Sequence, residues 1–212
     1  MRTHKTSQAG RLHENNVLEV LSAVHPAVPP ILFLPLVAYL VYSASVNPAL
    51  TLPSVLVLFA CGVTMWTLTE YVIHRYLYHV YHVRLRGPLH QHLYHVAHGY
   101  HHDYPADFWH LVMPPHVTVT LAVSLYFLFR LLFGEPWVRP FFGGFALGYV
   151  CYEAVHFAVH HLPCRRGVLS YLRKHHLRHH FGHEQNAFGV TSPVWDYILR
   201  SMPVRPQRRA SP

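Results

Sequence analysis

Four groups of histidines have the spacing of a metal-binding array: His74 and His79, His98-x-x-His101-His102, His156 and His160, and His176-x-x-His179-His180. A neutral imidazole is the commonest side-chain ligand for a transition metal. Residues three and four apart share a helix face, so each H-x-x-H-H triplet aims three ring nitrogens at one side, and His156 and His160 are spaced to grip one ion. His74 and His79 are five apart, poor spacing for a straight helix face; they require a helix end or another ligand set between them. Ten candidate ligands are too many for one ion, and two ions with about five nitrogens each is the simplest arrangement. Many imidazoles and few carboxylates suit iron, zinc or copper rather than magnesium or calcium.

These groups alternate with apolar stretches. Four runs, at about 28–46, 54–72, 117–133 and 141–156, each approach the roughly 20 residues a helix needs to cross a bilayer. Asn47-Pro48 joins the first run to the second, and Gly134-Glu135-Pro136 joins the third to the fourth, so two transmembrane hairpins are expected. Both termini and the central segment then lie on one side. Of the 17 Lys and Arg residues only Arg130 and Arg139 flank the short turns, and by the positive-inside rule the other face is cytoplasmic. The histidine groups sit on that face. The central segment and residues 168–181 read as membrane-surface helices, and residues 15–24 as a short amphipathic helix. The expected fold is all-α and integral to the membrane: four transmembrane helices under a cytosolic helical cap that holds a polyhistidine di-metal centre. Residues 1–27 form an N-terminal segment, 28–200 the membrane domain, and 201–212 a disordered basic tail.

Composition narrows the function classes. With 51% hydrophobic and 12% charged residues in 212, and a mean hydropathy of +0.15, the chain is too apolar for an ordinary soluble domain, where roughly a quarter is charged. The net charge of +8 comes from residues that flank apolar runs and form no aromatic-interleaved module, which argues against nucleic acid as a partner. Cys61, Cys151 and Cys164 show neither C-x-x-C spacing nor a disulfide framework. No secretory signal peptide is evident. Structural zinc usually takes four ligands, often with cysteine. A transporter places polar groups near the membrane midplane, whereas here they crowd one edge. Redox chemistry on a membrane-dissolved substrate remains.

At this level of detail the residues resemble the fatty acid hydroxylase/sterol desaturase superfamily of integral-membrane di-metal oxygenases, most closely its fatty acid 2-hydroxylase branch. The likeness covers about residues 60–200. It rests on Glu70-Tyr71-x-x-His74-Arg75-x-x-x-His79, His98-Gly99-x-His101-His102, Leu111-Val112-Met113-Pro114-Pro115 and Tyr152-x-x-x-His156-x-x-x-His160-His161. It continues through His175-His176-x-x-His179-His180 and Gly189-Val190-Thr191-Ser192-Pro193-x-Trp195-Asp196. The histidine pattern marks the superfamily, and the Leu111–Pro115 and Gly189–Asp196 motifs mark the branch.

The resemblance implies that one metal is held by His74, His79, His98, His102 and His179, and the other by His101, His156, His160, His176 and His180. It implies O₂-dependent hydroxylation of a fatty acyl chain at C2, in a free fatty acid or a sphingolipid. Iron is the expected catalytic metal because zinc has no redox chemistry, although zinc can occupy such ligands. Tyr152 and Glu153 are the expected catalytic pair lining the acyl pocket. Eukaryotic members often carry a cytochrome b5 domain; about 27 residues precede the first run here, too few for one. A separate donor, cytochrome b5-like or ferredoxin-like, is therefore expected, and the basic face favours an acidic partner. Two positions depart from the branch: His110 stands where Arg is expected before Leu111, and Tyr94 stands where a histidine is common.

Other residues carry weaker expectations. Glu70 and Glu153 are expected to bond ligand imidazoles, because an acid near a span end is costly unless paired. His161, His175 and His183 suit hydrogen bonding to the ligand groups or plain solvation. His82, His90, His92, His95 and His110 are expected at the surface, and His4, His13, His25 and His116 carry no case. Asp103 and Asp107 are expected to cap or turn the chain, and Asp196 to be structural. A headgroup is expected to anchor near Arg75, Arg84 or Arg86. Sterol-type desaturation or carotenoid ring hydroxylation is the nearest enzymatic alternative, and a non-enzymatic zinc-binding membrane protein the other.

Overall fold

The computed structural model describes residues 10–80, 87–182 and 184–203. Its elements are helical among the described residues. Helix α1 (Asn16–Ser22) is capped by the Asn15 side chain, which accepts from the backbone N–H groups of Val17 and Leu18. Helix α2 (Val28–Ser45) opens with Pro29 and Pro30, which suit a first turn whose N–H groups have no helical partner. Helix α3 (Leu52–Val72) starts at a reciprocal Thr51–Ser54 capping box and runs on as a π-helical segment, Ile73–Val80. Helix α4 (Pro88–Tyr94), a π-helical turn (His95–Gly99) and α5 (Tyr100–Asp103) form one helical run. Helices α6 (Pro115–Phe133), α7 (Val138–His161), α8 (Gly167–Phe181) and α9 (Val194–Ile198) follow.

Among the described residues, four helices are long and apolar enough to cross a membrane: Val28–Ser45, Leu52–His79, Pro115–Phe133 and Val138–His161. They correspond to the four apolar runs and reach further at five ends, most at three of them. The second continues as a π-helix to His79, and the fourth begins before residue 141 and ends after 156. The central segment is not a single surface helix: its first part extends the second span, and residues 104–114 are non-helical. The tail beyond Pro203, His4, His82, His183, Arg84 and Arg86 lie outside the described residues.

Helix α7 is the hub. Phe33, Val37 and Leu40 of α2 pack with its Val138, Phe142, Phe145, Ala146, Tyr149 and Val150 in one buried cluster. Against α3 the approach is closer still. A Cβ on Gly62 would stand 1.9 Å from the Phe141 carbonyl oxygen, and one on Gly144 2.0 Å from that of Phe59. Only glycine lets backbones meet this way, as in membrane helix pairs built on small residues. Helix α6 differs: Thr118 is its only buried residue, so its apolar surface faces outward, as a lipid-contacting helix requires.

Gly144→Ala should therefore force α3 and α7 apart and cost at least the roughly 1–3 kcal/mol typical of overpacking. Gly87→Ala, where an added Cβ meets nothing within 4 Å, should be neutral. Thermal unfolding in detergent reads both; equal midpoints would refute the crossing.

Candidate metal centre

The π-helical segment resolves the awkward His74/His79 spacing. Five residues overshoot an α-helical turn by about 140°. The wider i→i+5 repeat of Ile73–Val80 brings both rings to one side, and π turns of this kind recur at functional sites. Each H-x-x-H-H triplet, by contrast, divides its nitrogens between two centres. His98 and His102 turn to one and His101 to the other; His176 and His180 turn to the second and His179 to the first.

The result is two groups of five: His74, His79, His98, His102 and His179, and His101, His156, His160, His176 and His180. Within each group the candidate ligand atoms all lie within 4.8 Å of one another, and nine of the ten residues are buried, His160 partly. In the first group His98 Nε2 lies 3.1, 3.2 and 2.9 Å from the Nε2 atoms of His74, His79 and His102. In the second, His101 Nε2 lies 3.0 Å from His180 Nε2 and 3.1 Å from His156 Nε2, and His176 Nε2 2.8 Å from that of His160.

Hydrogen bonding among the rings cannot account for this convergence. His98 Nε2 carries at most one proton, yet it faces three other nitrogens. His74 Nδ1 bonds the Phe188 carbonyl and His179 Nδ1 the Asn186 carbonyl, and a carbonyl only accepts. Both Nδ1 atoms therefore carry the proton, and the neutral Nε2 atoms present lone pairs to their neighbours. Facing lone pairs repel unless a cation sits among them. Metal–imidazole bonds of about 2.0–2.1 Å at right angles would set neighbouring nitrogens about 2.9 Å apart. The donor set fits two transition-metal ions.

Electrostatics agree. Burial first, and neighbouring imidazoles second, hold His98, His101, His176, His179 and His180 well below the ordinary imidazole value. All five stay neutral, the form that binds metal.

A loop between α8 and α9 braces the first group. Asp196 accepts from the N–H groups of Phe188 (2.9 Å) and Gly189 (2.8 Å) and the Ser201 hydroxyl (2.7 Å), and pairs with His175 Nε2 (3.0 Å). Burial alone would raise its pKa; the bonds from His175, Ser201 and the two N–H groups lower it. Glu70 accepts from the N–H groups of Val190 and Thr191 and the Thr191 hydroxyl. The expected bond from Glu70 to an imidazole is thus replaced by a bond to this loop, because His74 Nδ1 already takes the Phe188 carbonyl. The expected bond between Glu153 and an imidazole is likewise not found among the described residues: its Oε1 accepts from the Met113 N–H at 3.5 Å.

A cavity of about 440 Å³ opens onto both groups. Leu18 and Leu21 of α1, Leu77, Val112, Met113 and Leu121 give it apolar walls, and His98, His101 and His156 form one end with Tyr78, Tyr152 and Glu153. The Tyr78 ring stacks on His98 (4.7 Å, 13°) and the Tyr152 ring on His156 (5.5 Å, 27°). His13, His110 and His116 also line it. Sequence spacing gave these three no role, because none belongs to a ligand pattern. His110 was expected at the surface, yet its side chain is only 7% exposed, held between Asp107 and Glu19. Asp107 does turn the chain, accepting from the N–H groups of Trp109 (2.7 Å) and His110 (3.1 Å). Arg75, expected at the headgroup, instead bonds Tyr71 and the Leu199 carbonyl and is absent from the cavity wall.

Metal-free protein should lose stability on acidification. Unfolded imidazoles gain protons below about 6.5, whereas the folded ones are held neutral to lower pH. Stability is then complete above about 6.5 and declines as pH falls toward the depressed folded values. Melting of chelator-treated protein in micelles between neutral and mildly acidic pH should show a falling midpoint; a flat or rising one would contradict the buried neutral array.

Comparison with known proteins accords with this architecture. A family profile described as "Fatty acid hydroxylase" matches residues 59–201. A dihydroceramide fatty acyl 2-hydroxylase of Arabidopsis thaliana is 34% identical over 193 residues, 91% of this chain and 80% of the relative. The ceramide very long chain fatty acid hydroxylase of Saccharomyces cerevisiae is 37% identical over 191 residues, 87% of this chain and 47% of that protein. A solved structure of full-length Scs7p, with only the hydroxylase domain visible, superposes with a TM-score of 0.84 at 35% identity, covering 93% of this chain and 73% of that one. With the profile spanning most of its length and its helices superposing on that domain, the chain belongs to the fatty acid hydroxylase family.

Proposed function

We propose that this protein is a membrane fatty acyl 2-hydroxylase, with the two histidine groups as ligand sets for two iron ions and Tyr152 and Glu153 as the catalytic residues that meet the substrate. The observation that carries the reading is the apolar cavity ending on histidines of both groups. In balance, one atom of O₂ enters a C–H bond of the acyl chain and the other leaves as water, with two electrons and two protons consumed. Bound iron would supply the O₂ activation, which zinc, lacking redox chemistry, would not.

The chain's own groups position and shield. Leu18, Leu21, Val112 and Met113 enclose the aliphatic part of the substrate and keep water out. Glu153 and the Tyr152 hydroxyl are the polar groups at the histidine end that a carboxyl or amide headgroup would meet. A headgroup there leaves C2 and its neighbours nearest the ligand sets, whatever the chain length. The relatives named above act on fatty acyl or ceramide lipids, which favours an acyl substrate over a sterol or carotenoid. A separate electron donor, cytochrome b5-like or ferredoxin-like, completes the proposal, and the excess of Lys and Arg away from the short turns favours an acidic docking face on it.

Expression in a host lacking 2-hydroxy lipids should yield acyl chains one oxygen atom heavier, with the hydroxyl at C2 on fragmentation. His160→Ala should lower product by more than roughly 100-fold, beyond the usual effect of an indirect neighbour, and bound metal from two ions to about one, while His25→Ala leaves both near normal. Mid-chain or terminal hydroxylation, or a hydroxylated terpenoid with unchanged acyl lipids, would sink the assignment.

The same reading puts both termini and the metal centre on the cytoplasmic side. Reporter fusions at the C-terminus and at Pro48 should report opposite sides, the former cytoplasmic. A C-terminus on the far side would reverse the siting of the metals.

A further inference from the structure

The two ligand groups differ in what stands behind them. In the first, His74 and His179 donate from Nδ1 to the carbonyls of Phe188 and Asn186, which lie either side of Ala187. Ala187 holds a left-handed backbone (φ 63°) that a non-glycine residue adopts only when its surroundings impose it. Those surroundings are the bonds already described. Asp196 grips the N–H groups of Phe188 and Gly189, Glu70 those of Val190 and Thr191, and the Ala187 N–H donates to the Ser201 carbonyl at 2.8 Å. In the second group the buried Nδ1 atoms of His156, His176 and His180 have no hydrogen-bond partner among the described residues. A carbonyl behind a ligating imidazole fixes the ring and makes it a better donor, and losing such a partner typically costs 10–100-fold in metal affinity.

We infer that the two metal positions are unequal: the group of His74, His79, His98, His102 and His179 retains its ion, and the group of His101, His156, His160, His176 and His180 exchanges. Glu70, Thr191 and Asp196 are positioning residues for the retained ion, acting through the 186–191 loop. The inference rests on the reading that each group holds one ion. Its chemical sense is that an ion with unbraced ligands can shift its imidazoles as oxygen and substrate arrive, while its neighbour anchors the cap.

The full chain in micelles, loaded with Zn²⁺ and transferred to excess chromophoric chelator, tests this. Two release phases of equal amplitude are expected, separated by roughly 10–100-fold in rate. His160→Ala should delete the fast phase and His79→Ala the slow one. Glu70→Gln, Asp196→Asn and Thr191→Val should quicken the slow phase alone, and Thr191→Ser should restore it. General loosening of the fold would quicken both phases, so selectivity separates positioning from mere stability. One phase for both ions, a slow phase lost in His160→Ala, or equal acceleration of both phases would overturn the inequality. Fewer than two zinc ions per wild-type chain would overturn the di-metal reading instead. Should Glu70→Gln or Asp196→Asn fail to fold, the wild-type phases and the two ligand deletions still decide.

Discussion

Buried lone pairs that face one another are the constraint on which the rest of this structure depends. Ten imidazoles, nearly all removed from water, direct nitrogens into two small volumes where they cannot satisfy each other by hydrogen bonding. Such an arrangement collapses or fills with water unless the backbone holds it open or a cation neutralises it. The backbone support is visible here, and the ligand sets are fit for the cation. Helices from the membrane region and from the cap meet at the two volumes, and the donor set matches an imidazole-preferring metal. The neutrality of the rings follows from the same burial that makes the array costly.

Much of this was legible in the sequence because its signals are local. Apolar runs of bilayer length, short Pro- and Gly-containing turns and i,i+3/i+4 histidine spacing each follow from residue type and helical geometry. What escaped depends on tertiary contact. The π-helical widening at Ile73–Val80 cannot be read from a five-residue spacing alone, only that something must bend the rule. Glu70 looked like a partner for an imidazole, but the loop that claims it lies more than a hundred residues away. His110 resembled any surface histidine, since nothing in its neighbours reveals that Asp107 and Glu19 enclose it.

The cavity draws walls from segments of very different standing. Helix α7 is packed on several sides, whereas α6 buries only Thr118 and α1 leaves Val17, Leu18, Val20 and Leu21 at least half exposed. Apolar side chains this exposed imply a lipid environment on that flank. Bilayer and cavity are thus separated by thin walls, and the bilayer is part of the cavity's surroundings as much as any helix.

The glycine crossing of α3 and α7 has a consequence for the chemistry well away from it. Gly62, Gly144 and Gly148 clamp together the two helices whose ends carry His74, His79, His156 and His160. Gly148 precedes His156 by eight residues, about 12 Å along a helix. A rotation at this clamp is magnified along both arms, so the separation of the two ligand sets is calibrated in the interior of the membrane. Small residues there act as the fulcrum of a pair of calipers, and the span of its jaws is the distance between the two ligand sets.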